Sequence, residues 1–169
     1  MICVLLLQLL TIQGTFARLQ SIMAPTWEQL CKEGWLTMVG QALARGEDVN
    51  TVGSKNMTGL MWAVRNNNNS IVRLLLEQPT VDLNCTDGIK RTALHWAAFA
   101  DNAEAVKLLL TSSRLTTLNQ KDNEGSTPVM LAMSSKNVNA LRELGHWKVN
   151  LDTKNRWGDS LEQVARWEK

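Results

Sequence analysis

The chain has no tyrosine, two phenylalanines, three prolines, three cysteines and two histidines in 169 residues. Each shortage excludes something. Three scattered cysteines, Cys3, Cys31 and Cys85, without a C-x-x-C pair, rule out a disulfide-dense scaffold. His95 and His146 stand 51 residues apart, so a His-rich metal site is out and most acid–base chemistry is hard to staff. A net charge of +2 is too small to imply nucleic acid or an anionic membrane. No apolar run reaches the ~20 residues of a transmembrane helix. There is no G-x-x-x-x-G-K, H-E-x-x-H or G-x-G-x-x-G. What remains is 44% apolar and 20% charged, enough to bury the core of one ordinary domain. Seven tryptophans and many asparagines complete the picture, and the run Asn66–Asn69 reads as a turn.

Residues 1–17 carry no charge, and nine of the eleven residues from Ile2 to Ile12 are apolar. The segment has the length of a signal-peptide h-region, with small residues at Thr15 and Ala17, but no Lys or Arg precedes Arg18. A cleaved signal and an unprocessed apolar segment both fit. Residues 18–24 read as a linker in either case.

Self-similarity dominates the rest. Thr58-Gly59-Leu60-Met61-Trp62-Ala63-Val64, Thr92-Ala93-Leu94-His95-Trp96-Ala97-Ala98 and Thr127-Pro128-Val129-Met130-Leu131-Ala132-Met133 align, starting 34 and 35 residues apart. A second apolar run follows each (71–76, 105–110, 140–144), and then an apolar residue with Asn or Asp: Leu83-Asn84, Leu118-Asn119, Leu151-Asp152. This pattern resembles the ankyrin repeat, T-P-L-H-x-A-A followed by a V-V-x-L-L-L helix and a D-V-N hairpin. Gly34, Gly46 and Asp48-Val49-Asn50 extend the phase upstream, and Gly158-Asp159-Ser160 extends it downstream. Units therefore begin near 25, 58, 92, 127 and 160, the last one partial, and span residues 25–169. The resemblance implies an all-α solenoid of about five helix-turn-helix units joined by β-hairpins.

Local chemistry agrees with that frame. Leu60, Ala63, Val64 and Leu94, Ala97, Ala98 form narrow stripes suited to close helix packing. Thr58, Thr92 and Thr127 are placed as N-caps, with Pro128 at the first helical position. Gly34, Asn67, Asp101 and Lys136 stand where a left-handed turn is needed; Lys136 suits it poorly, which leaves Asn137 to help. Thr26-Trp27-Glu28-Gln29 reads as a capping box opening a polar N-terminal cap. The second helix of the fourth unit carries Glu143 and Gly145 where its predecessors have leucines, so that layer is expected to be the weakest.

Candidate chemistry is sparse. His95 fills the repeat's own His position, for which the resemblance implies a hydrogen bond to the adjacent loop. His146 is expected in solvent, Cys31 as a buried inert thiol and Cys85 as exposed. Trp62 and Trp96 share one repeat position and are expected to pack between units, while Trp27, Trp35, Trp147 and Trp167 cover the ends. Asn56, Asn68 and Asn84 each open an N-x-[ST] sequon. Asn84 also resembles the hairpin asparagine modified by asparaginyl hydroxylases.

No enzyme is expected, and no cofactor or metal. The implied function is a non-enzymatic protein-interaction scaffold or adaptor, monomeric and cytoplasmic; the alternative is a secreted ankyrin protein acting on an extracellular target. No nucleic-acid partner and no stable membrane span are expected. In the resembled fold, residues before each Thr and after the A-A pair face a concave groove. Here those include Lys55, Met57, Arg65, Ile89, Arg91, Phe99, Ser134, Arg156 and Trp157, and Met57, Ile89, Phe99 and Trp157 are expected to leave apolar atoms in water. The basic residues favour a partner with an acidic rim. Phe99, Trp157 and Arg91 are the expected hot spots.

Overall fold

A helix pair with one small-residue stripe cannot bury its own apolar face, and stacked copies can. The computed structural model shows this stack over residues 25–161 and Gln163. The leader, the linker and Trp167 lie outside the described residues. Eight α-helices form four pairs there: α1 (Trp27–Glu33) with α2 (Leu36–Ala44), α3 (Gly59–Arg65) with α4 (Asn69–Leu76), α5 (Ala93–Phe99) with α6 (Ala103–Leu110), and α7 (Pro128–Ser134) with α8 (Val138–Gly145). One continuous core runs through them, from Trp27 in the first unit to Leu161 in the fifth.

The caps follow the sequence with one exception. Thr26 and Gln29 exchange both bonds of a capping box, at 2.9 and 3.2 Å. The Thr58 hydroxyl accepts from the Met61 N–H. Thr127 has the extended backbone of an N-cap and Pro128 follows at the first helical position, but its buried hydroxyl finds no partner. The expected Thr127 cap bond is therefore absent; the backbone of the repeat is kept without its side-chain bond.

Within each pair the chain reverses through a left-handed residue at the expected places: Gly34 (φ 83°), Asn67 (58°), Asp101 (52°) and Lys136 (54°). Lys136 takes the strained turn itself. Asn137 does something else. It belongs to a ladder with Asn68 and Asn102, the residues before each outer helix, whose amides reach back to the preceding unit. Asn68 donates to the Cys31 and Lys32 carbonyls, Asn102 to Val64, and Asn137 to Ala98 and Phe99, all at 2.7–3.1 Å. A second ladder joins the hairpin bases. Asn50 donates to the Thr80 carbonyl, Asn84 to Arg114 and Asn119 to Lys148. Side-chain amides placed in this way satisfy loop carbonyls that the repeat's own helices leave unpaired between units.

Two expectations about the ends are corrected. The first unit is not a uniformly polar cap: Trp35, Leu36 and Met38 are exposed among its charged groups, and a cleft of about 360 Å³ opens on it, lined by Trp27, Leu30 and Met38 together with Gln41, Arg45 and Glu47. The polar Glu28 that suggested a cap instead reaches forward to Ser54, accepting from its N–H (2.7 Å) and hydroxyl (2.6 Å). Those bonds hold the Glu28 carboxyl below its usual range. Gly145 is the last residue of α8 rather than an interior one, so the full interior-glycine penalty does not apply.

Candidate protein-interaction surface

Each unit meets the next through a hairpin tip built on one polar side chain. Asp87 Oδ1 accepts from the Ile89 and Arg91 amides at 2.9 and 2.8 Å, and Asp122 Oδ1 accepts from Glu124 and Ser126 at 2.9 Å. Asn155 Oδ1 does the same for Trp157 and Asp159. These short side chains mimic a turn backbone, which is why Asp and Asn stand there. The second unit has Gly53 at that position and no such side-chain acceptor; Glu28 from the unit before binds a different tip group, Ser54. Each tip is closed by one backbone bond, from Gly53, Asp87, Asp122 and Asn155 to Met57, Arg91, Ser126 and Asp159. Successive tips are then tied by Gly88 N–H to Lys55 O, Asn123 N–H to Ile89 O and Arg156 N–H to Glu124 O, at 2.9, 3.0 and 2.7 Å. The left-handed residue this needs is Asn56, Lys90, Gly125 or Gly158. Only two isolated antiparallel bridges, Val52–Thr58 and Lys154–Ser160, occur among the described residues, so the hairpins are barely strands at all.

Several of the expected surface residues are where the sequence put them. Lys55, Arg156 and Ser134 are exposed. Ile89, Phe99 and Trp157 are 44%, 45% and 59% exposed, which leaves three large apolar groups along one side. Phe99 rests edge-on against Trp96, with ring centroids 5.9 Å apart. The Arg156 guanidinium sits 5.6 Å over Trp157. A small cleft of about 150 Å³ lies among Ile89, Arg91, Asp122, Asn123, Glu124 and Arg156.

Met57 is a correction. It is fully buried, pointing its thioether into the core where Arg91, Ser126 and Asp159 stand in later units. The position before the repeat Thr is also buried at Ser126, and an apolar side chain there gains by joining the core. Arg91 is a second correction. Its Nε donates to Asp122 Oδ2 at 3.0 Å, its side chain is 15% exposed, and its guanidinium lies 5.5 Å over Trp96. It ties unit three to unit four and is not a free hot spot.

Trp62 and Trp96 pack between units as expected, at 6% and 7% exposure. Their polar edges differ. Trp96 Nε1 donates to Asp87 Oδ2 at 3.1 Å, whereas Trp62 Nε1 is buried without an acceptor, since its tip has Gly53 in place of the aspartate. Arg65 is half-buried and lies over both indoles, 5.5 Å from Trp62 and 4.7 Å from Trp96. Lys32 approaches Trp62 from the first unit, also at 5.5 Å. The composition hinted at this arrangement only through its seven tryptophans.

His95 is fully buried. Its Nε2 donates to the Ser126 carbonyl (3.2 Å), and its Nδ1 accepts from the Thr92 N–H (3.2 Å), with the Thr92 hydroxyl 2.9 Å away. Burial pushes its pKa down to about 4, so the ring is neutral and structural. His146 is exposed at the end of α8. Cys31 is buried with its thiol pushed up to about 12 by desolvation. Cys85, expected in solvent, is half-buried. Desolvation first, then its bond to Asp82 Oδ2 (3.3 Å), raises it to about 11. Neither thiol has nucleophile character. Asn84 is half-buried and clamps two units, accepting from Thr116 N–H as well as donating to Arg114 O. Arg114 stands in the hairpin-base ladder where the neighbouring units have Thr80 and Lys148. It donates to the Leu76 and Gln78 carbonyls at 2.6 and 2.8 Å, a cation on the C-terminal end of α4. The matching positions share no residue type, so the repeat pattern offered no signal for it.

Among the described residues no group of three or more His, Cys, Asp or Glu converges as a metal site, and no helix is long and apolar enough to cross a membrane.

A sequence profile for ankyrin repeats (3 copies) matches residues 27–122 and again 60–155. Relatives include a palmitoyltransferase ZDHHC17 of Danio rerio, 40% identical over 84 residues that cover 48% of this chain and 13% of that protein. The Neurogenic locus Notch protein of Drosophila melanogaster is 35% identical over 96 residues, covering 56% of this chain and 4% of its own. A transient receptor potential cation channel subfamily A member 1 homolog of Caenorhabditis elegans is 42% identical over 66 residues, covering 39% and 5%. The chain thus spans a small fraction of each relative, and the shared part is the repeat array. Phase, stacked helix pairs, tip ladder and profile converge: the chain belongs to the ankyrin-repeat family.

Proposed function

We propose that this chain is a non-enzymatic scaffold that binds a partner protein along the side carrying its hairpin tips and inner helices. Ankyrin repeats are protein-interaction modules. The observation that carries the finer reading is the set Ile89, Phe99 and Trp157, three large apolar side chains 44–59% exposed, the first two on unit three and the last on the tip of unit five. Single exposed apolar groups are ordinary; a pair on one unit with a third carried on the same tip ladder is the pattern of a contact patch. A preorganised surface also avoids the ordering cost of binding. The same proposal places the chain in the cytoplasm. The sequon asparagines Asn56, Asn68 and Asn84 all donate their amides to backbone carbonyls, so a glycan on any of them would break a bond between units.

Affinity capture with the full chain, followed by Phe99→Ala and Trp157→Ala, tests it. Each variant is expected to keep the wild-type circular dichroism and lose about 2 kcal/mol or more of binding to the captured protein. Undiminished binding by both would move the site elsewhere.

A further inference from the structure

The basic residues of this surface are not equivalent, and the difference names a ligand chemistry. Arg91 has its own carboxylate, Asp122, at 3.0 Å. Among the described residues Arg65 donates no hydrogen bond and forms no ion pair; only the indole faces of Trp62 and Trp96 hold it. The nearby acids are already engaged. Asp87 holds Trp96 and its tip amides, Asp122 holds Arg91 and its own tip, and Glu28 holds Ser54. Glu33, at the matching position one unit back, makes no ion pair with Arg65. The two indoles hold the guanidinium carbon at 5.5 and 4.7 Å and leave its N–H groups without a carboxylate. A guanidinium held in this way keeps the N–H fork that pairs with a planar carboxylate. Lys32 adds a second cation over Trp62, and Phe99, a 45% exposed apolar ring, packs on Trp96, the same indole that Arg65 lies over.

We infer that Arg65 is the anchor for a carboxylate side chain of the partner, and that the partner presents an extended acidic segment with an apolar residue next to the acid, the apolar residue against Phe99. This rests on the surface proposed above and specifies what occupies it. Arg65 is held by two indoles before binding, so less side-chain freedom is lost on pairing; the exposed Lys55, and Arg156 over the exposed Trp157, act mainly on encounter.

The test selects binders for the full chain from a phage-displayed library of random linear peptides and measures the enriched peptides by fluorescence anisotropy. Enrichment of Asp or Glu adjoining an apolar residue is expected. So is a loss of about tenfold or more in affinity for Arg65→Met, which keeps the stem on the indoles while removing the fork. Arg65→Lys is expected to fall between, and added salt to weaken wild type more than Arg65→Met. Thermal melts of both variants check folding; if Arg65→Met is unfolded, the affinity of Arg65→Lys and the acid-to-amide exchange in the peptide decide. No binders, binders without acidic bias, or equal affinity for the acidic peptide and its Asn/Gln counterpart would overturn the inference. If such neutral peptides lose affinity with Phe99→Ala, the binding surface stands and only the carboxylate anchor falls.

Discussion

A single polar edge separates the two homologous tryptophans. Trp96 has Asp87 as acceptor; Trp62 has none. Replacing either with Phe loses similar ring area and the Arg65 stack, but Trp96→Phe also strips a buried carboxylate of a donor. Trp96→Phe is therefore expected to destabilise the protein by about 1–3 kcal/mol more than Trp62→Phe, measured by urea denaturation. His95 gives a pH-dependent counterpart. Its neutral tautomer donates to Ser126 and accepts from the Thr92 N–H, so a second proton on Nδ1 would face a donor. The folded pKa of about 4 lies below the ordinary imidazole value of 6.5, so between them the unfolded chain binds more protons. Stability should be full above 6.5 and fall as pH drops toward 4, by an amount on the order of 3 kcal/mol from this residue. Urea midpoints across that window should slope in wild type and slope less in His95→Gln.

At the scale of elements, two glycines have opposite meanings. Gly59 occupies the place of the family's proline at the start of α3, and a Cβ there would lie 2.5 Å from Trp27 Nε1 and 2.8 Å from Cys31 Sγ. The absence of a side chain is what lets α1 lie against α3. Gly145 closes α8, and a Cβ there would touch nothing. Gly145→Ala is expected to stabilise by about 0.4–1 kcal/mol by restricting the unfolded chain. Gly59→Ala should cost about 1–3 kcal/mol by overpacking a rigid contact, since indole and thiol must both shift. Thermal melts of the two variants should move in opposite directions; a shift in the same direction would refute this account of the inter-unit contact. Arg114 and the asparagine ladders show the same logic with polar groups: connections are fixed by donors from the neighbouring unit rather than by their own residues.

For the whole molecule, linear stacking makes stability local. Of α8, Ala140 and Leu144 are buried, against Ile71, Val72 and Leu75 in α4 and Ala105, Val106, Leu109 and Leu110 in α6. Glu143 and Gly145 add nothing to that layer, and Val138 is 62% exposed. Amide exchange is expected to be faster across 136–161 than across 58–110, read by mass spectrometry after short deuterium pulses; uniform protection would contradict a weak fourth layer. Fast exchange there would leave the surface at Arg65 and Phe99 on the firm part of the array.

The repeat phase, the helix pairs, the left-handed turns and the buried His95 were all legible in the chain, because each depends on neighbours a few residues away or on a pattern that recurs every 34 or 35 residues. Caps and turns are local physics, and a periodic stripe needs no partner to be recognised. The expectations that failed depend on the adjacent unit. Met57 turned inward onto the core of the neighbouring units, Glu28 crossed to bind Ser54 of the next tip, and Arg91 was paired with Asp122 of the following tip. Whether a basic residue is free to meet a partner depends on which carboxylate stacking brings within reach. That is a distance between units, and only the tertiary structure could set Arg65 apart from Arg91.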